Sequence, residues 1–155
     1  MSIEDKKKVE LERWIKHREQ AYTHSFYSSQ RFDLLIISIS GAGIYIVFET
    51  MRFIKENCFD YSLFCLIGAG IVFTLAIMLN FGSQLTAQKA NSDEVEWTDL
   101  TIDDIMGENS DQSKIDNLDL SSTKYDKATS WLNYFSAGFM ASGVILLLIF
   151  YVFIF

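Results

Sequence analysis

Three long apolar segments dominate the hydrophobic pattern of the chain. They run from Phe32 to Phe53, from Tyr61 to Gly82 and from Trp131 to Phe155. Each has the length that an α-helix needs to cross the hydrocarbon core of a bilayer, about 20 residues. A chain of 155 residues cannot hide three such segments in one water-soluble core. The pattern therefore predicts an integral membrane protein with three transmembrane helices.

Six regions follow from this pattern. They are a charged cytoplasmic helical arm (1–31), transmembrane helix 1 (32–54), a short external connection (55–60), transmembrane helix 2 (61–82), an acidic cytoplasmic loop (83–130) and transmembrane helix 3 (131–155). Proline, the usual helix breaker, is absent from the sequence. We therefore expect an all-α integral membrane protein. Within the acidic loop we expect one short helix, around Trp97 to Met106, and otherwise irregular chain.

The N-terminal arm has the pattern of an amphipathic helix. Ser2 can cap its first turn, and Glu4 and Asp5 supply acids there. Its apolar residues recur at helical spacing on one broad side. Since no glycine or proline interrupts the chain before the first span, we predict a long amphipathic cytoplasmic helix that is continuous with that span. Its apolar side would cover a neighbouring subunit, the lipid interface or another helix of the same chain.

The distribution of positive charge predicts the orientation. Seven Lys or Arg residues precede the first span, Arg52 lies at its end, Lys55 lies in the short connection, four lie in the long loop and none follow the third span. By the positive-inside rule the N-terminus and the acidic loop are cytoplasmic and the C-terminus lies outside. The first apolar segment starts late and lacks a cleavage-site pattern, so we expect it to be retained rather than removed.

The charged and metal-binding residue types give no recognisable metal site. The 83–127 stretch holds eleven acids against four lysines, yet the spacing around Asp103 does not fit a calcium-binding loop. A solvated acidic surface is the favoured interpretation. His17 and His24 lie seven residues apart without a third ligand nearby, and Cys58 and Cys65 fit neither a disulfide framework nor a metal site. We expect no bound metal.

Catalytic motifs are also missing from the sequence. It contains no Walker-type glycine loop, no nucleophile elbow, no zinc-ligand spacing and no paired intramembrane acids. We therefore expect no catalytic residue, no cofactor and no enzymatic activity.

Small and polar residues recur within the spans. Side chains spaced four apart form grooves in which helices can approach closely. One interpretation is packing within a single three-helix subunit. The other is contact between subunits of a symmetric ring, because three helices are too few to enclose a pathway alone; apolar side chains would keep such a pore dry when it is closed. The candidate pore or packing residues are Ser38, Ser40, Ala42, Thr74, Asn80, Gly138 and Ser142.

The basic residues of the arm allow two interpretations as well. The positive-inside signal alone explains them. In a ring, however, several arms would converge and attract an anionic ligand such as a nucleotide or oligonucleotide, with aromatic rings offering stacking surfaces. The candidate ligand-binding residues are Lys7, Lys8, Arg13, Trp14, Lys16, Arg18 and Tyr22.

Three stretches carry a resemblance to a known class of protein. They read YSSQRFDLLIISIS at the first span, LNFGSQLTAQKA at the end of the second and LNYFSAGFMASG at the start of the third. With this layout the chain resembles small three-span membrane effectors of bacterial anti-phage defence, such as the Hailong-like membrane effector. The resemblance implies a homo-oligomeric channel in the bacterial inner membrane. It also implies an oligonucleotide or nucleotide second messenger made by a neighbour-encoded cytoplasmic nucleotidyltransferase, and depolarisation of the infected cell. The acidic loop departs from what a nucleotide-binding surface needs and restricts any binding role to the arm.

Three functions therefore stand as hypotheses. The first is a ligand-gated, homo-oligomeric channel or pore effector, in which the first span couples the arm to the gate. The second is a non-conducting membrane anchor that tethers a cytoplasmic partner protein through the arm and the acidic loop. The third, holin-like lysis, would require killing by this protein alone.

Overall fold

The computed structural model describes residues 3–57, 63–107 and 111–154, and within these ranges it describes all side chains except those of residues 3–7, 10–11, 17–18, 21–31 and 154. Three helices make up the described chain: α1 (Ile3–Glu56), α2 (Phe64–Met106) and α3 (Gln112–Ile154). Each contains a segment long and apolar enough to cross a membrane. The prediction of an all-helical protein with three candidate transmembrane helices is confirmed. The amphipathic character of the arm stays a prediction.

Local hydrogen bonds define where the helices end. The backbone N–H of Asn57 bonds to the carbonyl of Phe53 at 3.2 Å at the end of α1. Gly107 follows the last residue of α2 with a φ of 91°, the left-handed conformation that glycine adopts readily after a helix. Asp111 caps α3, because its Oδ1 accepts a hydrogen bond from the backbone N–H of Ser113 at 3.1 Å.

The expectation of irregular chain in the acidic loop was wrong. Helix α2 continues to Met106 and α3 already begins at Gln112. The physical reason is visible along α3, where Ile115, Ser122 and Thr129 are buried at intervals of seven residues. The acids lie mostly between such positions, so the segment can bury one helix face and keep its charges in water.

The chain divides into two compact units, to which each helix contributes. We call residues 31–83 and 130–155 the membrane unit, and residues 1–30 and 84–129 the polar unit.

Buried positions of the membrane unit follow a seven-residue repeat on each helix. Such a repeat is typical of helices that wind around one another in a left-handed sense with interlocking side chains. The buried residues, at spacings of three, four or seven, are Asp33, Ile36, Ser40, Gly43, Val47 and Ile54 on α1; Leu66, Ala69, Phe73, Ala76, Asn80 and Ser83 on α2; and Ser136, Gly143, Leu147 and Phe150 on α3.

The membrane unit is apolar on its outside. Phe48 is 66% exposed and Phe153 is 84% exposed, and many other large apolar side chains are exposed with them. Contiguous apolar surface of this extent is incompatible with water and fits the hydrocarbon core of a bilayer. Trp131 and Tyr134, at the start of the third span, are exposed as well, and these two residue types are enriched at membrane–water interfaces.

The polar unit has a mixed interior. Ala90, Ile102 and Ile115 are its buried apolar residues, beside several buried hydroxyl groups and one buried carboxylate. The arm contributes Trp14, whose ring meets that of Trp97 edge to face, with centroids 5.3 Å apart. Aromatic pairs in this geometry stabilise a fold beyond the area they bury.

Candidate functional site

The predicted ligand-binding residues of the arm lie on α1 in the polar unit. The side chains of Lys8, Arg13 and Lys16 are exposed, and the Trp14 ring is partly buried against Trp97. The side chains of Lys7, Arg18 and Tyr22 lie outside the described set, as do those of His17 and His24. The structure thus places three basic side chains in solvent, and the prediction of an anion site stays a prediction.

The predicted pore or packing residues separate into two sets. Ser38, Ala42, Thr74, Gly138 and Ser142 are exposed on the outside of the membrane unit. Ser40 and Asn80, in contrast, are completely buried inside it. A residue pair as close in sequence as Ser38 and Ser40 therefore lies on opposite sides of one helix.

Two of the three exposed hydroxyl groups among these residues, on Thr74 and Ser142, bond to their own helices. Thr74 Oγ1 donates to the carbonyl of Gly70 at 2.9 Å, and Ser142 Oγ donates to the carbonyl of Gly138 at 2.8 Å. Such bonds back to the preceding turn satisfy the hydroxyl in a bilayer without help from another helix.

Polar side chains are concentrated at one end of the membrane unit's interior. Asn80 Nδ2 donates a hydrogen bond to Asp33 Oδ1 at 2.7 Å, and Ser83 Oγ donates to the carbonyl of Asn80 at 2.8 Å. Ser136 Oγ on α3 donates to the carbonyl of Ala76 at 2.7 Å. All three helices therefore contribute. We call Asp33, Ser40, Asn80, Ser83, Asn133 and Ser136 the polar layer.

Two oxygen atoms of the polar layer are buried without a hydrogen-bond partner among the described residues. They are Ser40 Oγ and Asn133 Oδ1. A buried polar atom without a partner is unfavourable by about 1–3 kcal/mol, so each such atom calls for an explanation.

An aromatic ring separates the polar layer from the apolar half of the core. Phe73 is only 1% exposed, and its ring lies between Gly43 on α1 and Gly143 on α3. A Cβ atom built on Gly143 would lie 2.7 Å from Cε1 of this ring, and one built on Gly43 would overlap Cε2 and Cζ. Beyond the ring, Val47 and Leu147 belong to an entirely apolar cluster.

The polar unit contains a buried carboxylate with two donors. Asp93 accepts hydrogen bonds from Lys89 Nζ at 2.6 Å and from Ser121 Oγ at 2.7 Å. Burial alone would raise the pKa of Asp93, but these two hydrogen bonds and the charge of Lys89 together lower it below its usual value. The hydrogen bond to Asp93 and the negative charge of Asp93 raise the pKa of Lys89.

This carboxylate predicts a pH dependence for the polar unit. Because the pKa of Asp93 is lower in the folded than in the unfolded chain, its ionised form stabilises the fold above the unfolded value of about 3.9, and that stabilisation is lost as the pH falls through the folded pKa. The protection of residues 84–106 against amide hydrogen exchange, expressed relative to the intrinsic exchange rate at each pH, should decrease as the pH falls below about 3.9. Asp93→Asn should lower this protection at pH 7 and flatten its pH dependence, whereas Asp126→Asn, at an exposed acid of α3, should do neither. If the Asp93→Asn variant kept the pH dependence of the parent protein, Asp93 would not be the group that causes it.

Three residues that are prominent in the interior of the membrane unit were not predicted from the sequence. Asp33 lies in the first turn of an apolar segment, where a lone acid was a detectable signal. Ser136 was not a candidate, although it lies two positions before Gly138, which was assigned to packing or to a pore. Phe73 gave no signal, because an aromatic residue in an apolar span has no distinguishing pattern.

Comparison of the chain with known protein families, with curated proteins and with solved structures found no match.

Proposed function

We propose that this membrane protein is the subunit of a homo-oligomeric channel or pore effector, gated by a cytoplasmic nucleotide or oligonucleotide ligand. In this proposal it acts in the bacterial inner membrane with its N-terminus in the cytoplasm, and opening depolarises the cell as an anti-phage defence. The amphipathic arm senses a second messenger that a neighbour-encoded nucleotidyltransferase makes, and the first span transmits the response.

The observation that carries the oligomer proposal is the open surface around two glycines. A Cβ atom built on Gly41 or on Gly138 would meet no other atom within 4 Å, although both residues lie within the spans. Ser38, Ala42 and Ser142 are exposed near them. Small residues on the outside of a transmembrane bundle permit close approach of another helix, and a second copy of this chain is the partner that a symmetric ring would supply.

The gating proposal draws support from the arm. Lys8, Arg13 and Lys16 are exposed on α1, the helix that also carries Asp33 and Gly43 in the membrane unit. An anionic ligand that bridges several arms would therefore act on a helix that contributes to the interior of the membrane unit.

The first test is the oligomeric state together with ion flux. We expect the purified protein to form one defined oligomer in detergent, measured by native mass spectrometry, and to release potassium from liposomes when the ligand is present. Gly41→Leu and Gly138→Leu fill the open surface and should dissociate the oligomer, whereas Gly41→Ala and Gly138→Ala should preserve it. A monomer in every detergent and no flux under any nucleotide would overturn the proposal.

The second test concerns the arm. Reversing three charges at once, with Lys8→Glu, Arg13→Glu and Arg18→Glu, should abolish the response to an anionic ligand and leave membrane insertion unchanged. A matched control reverses acids of the same arm, with Glu12→Lys and Glu19→Lys. Unchanged ligand control after the triple reversal would exclude the basic arm from gating.

One observation favours the anchoring function as a second candidate. The polar unit exposes Val9, Ile15 and Leu120, which are large apolar side chains outside the membrane unit. Exposed apolar residues on a polar surface are typical of contacts with a partner protein. Co-purification of a neighbour-encoded protein without any conductance would favour this anchor over the channel.

A further inference from the structure

We propose that the polar layer is a hydrated path inside each subunit, which admits water and small monovalent cations from the Asp33 end as far as Ser40 and is closed by Phe73. This inference rests on the proposed channel function and refines it. We expected three helices to be too few to enclose a pathway, whereas the inference locates the conducting route within the subunit rather than between subunits.

The two unpartnered oxygens carry the inference. Ser40 is 0% exposed, yet its Oγ has no hydrogen-bond partner among the described residues, and the same is true of Asn133 Oδ1. Lipid cannot satisfy a polar group in the hydrocarbon core. Ser40 occupies an interior position of the seven-residue repeat, between Ile36 and Gly43. Its hydroxyl therefore faces other helices, and water is the small molecule that satisfies such interior groups in proteins.

The extent of the polar layer fits a path rather than a single water site. Asp33 and Ser40 are seven residues apart on α1, which corresponds to about 10 Å along a helix. Asn80 lies beside Asp33 through their hydrogen bond, and Ser136 reaches the carbonyl of Ala76 one helical turn before Asn80. Polar groups from three helices thus occur over about two helical turns, beside the buried apolar side chains of Ile36 and Ala76.

The chemistry of the layer favours cations. Asp33 is 7% exposed and offers carboxylate oxygens, Ser40 offers a hydroxyl, and Asn133 turns its amide oxygen into the interior. Acidic side chains select cations over anions at the mouth of a pore, while hydroxyl and amide oxygens replace part of the water shell of the ion.

Phe73 ends the path. The ring fills the space between Gly43 and Gly143, and the core beyond it contains Val47 and Leu147 without a polar side chain among the members of this cluster. An apolar constriction of this kind stops conduction by excluding water, so the path is closed at the ring.

The experiment is thiol accessibility in liposomes, on a chain in which Cys58 and Cys65 are replaced with alanine. Ser40→Cys and Ser136→Cys probe the polar layer, Ser38→Cys probes the outside of the same helix, and Val47→Cys probes the core beyond Phe73. The probes are the cationic 2-aminoethyl and the anionic 2-sulfonatoethyl methanethiosulfonates, with modification followed by intact mass and folding checked by circular dichroism.

We expect both thiols of the polar layer to be modified, and the cationic reagent to react at least tenfold faster than the anionic one. Asp33→Asn should reduce that preference by about tenfold. Ser38→Cys and Val47→Cys should stay unmodified, and Phe73→Ala should make Val47→Cys reactive.

The other outcomes separate this inference from the channel function. If only Ser38→Cys reacts, the route runs between subunits; the inference is overturned and the channel function stands. If no thiol of the polar layer reacts, the layer is dry and the inference is overturned whatever the flux. If the layer reacts but liposomes show no flux, the hydrated path is supported and the channel function is lost.

Discussion

Replacing Gly43 or Gly143 with alanine is expected to destabilise the membrane unit by about 1–3 kcal/mol, the usual effect of overpacking a well-filled core. In either variant the new methyl group would occupy space that the Phe73 ring now fills. The ring cannot retreat from one glycine without approaching the other, since both are in contact with it. Thermal unfolding in detergent, followed by circular dichroism, measures the loss.

Two other glycines of the same spans provide the matched controls. Gly41→Ala and Gly138→Ala introduce the same methyl group on the same two helices, where no atom lies within 4 Å. They should be neutral or stabilising by about 0.5–1 kcal/mol, because alanine is the better helix former. Equal losses in all four variants would show that backbone effects, rather than contact with Phe73, determine the result. Replacing the ring with the smaller side chain of leucine, in Phe73→Leu, should reduce the loss of stability caused by Gly43→Ala.

The hydrophobic pattern predicted the three spans because a bilayer imposes one simple requirement, about 20 apolar residues in a helix. The same reasoning failed for residues 83–130, which we expected to be largely irregular. A net charge of −7 in 83–127 and a loop-like GENSDQSKIDN stretch suggested loop. Among the described residues of 83–130, only Gly107 and Asp111 lie outside α2 and α3. Charge density is a weak guide when most of the acids can lie on outward faces.

The candidate site was predictable by residue type and not by location. Ser38 and Ser40 were both predicted as pore or packing residues of the first span, yet only Ser40 is interior. To decide between them, one must know the phase of the seven-residue repeat, that is, which of its positions face the other helices. That phase depends on contacts such as Ser136 with Ala76, which join distant parts of the chain. No feature of a single apolar segment contains that information.

Asp33 and Asn80 show the same limitation more sharply. They are 47 positions apart, and Asn80 alone was predicted. Their hydrogen bond explains how an acid is tolerated in a span: its carboxyl group accepts a hydrogen bond from an amide donor at 2.7 Å, and both side chains are buried.

Replacing Asn80 with aspartate is therefore expected to destabilise the membrane unit by about 3 kcal/mol or more at neutral pH, because it removes the donor and places a second carboxylate beside Asp33. Asp33→Asn alone removes the charge and should lower the stability by about 1–2 kcal/mol. The exchanged pair, Asp33→Asn with Asn80→Asp, keeps one carboxylate and one amide at the same contact. It should recover at least half of the loss of Asn80→Asp, since residues in direct contact are strongly coupled.

Thermal unfolding of the parent, the two single variants and the exchanged pair measures this coupling. Additive losses in the exchanged pair would mean that the two residues act separately, and that the stability of the polar layer does not depend on their hydrogen bond.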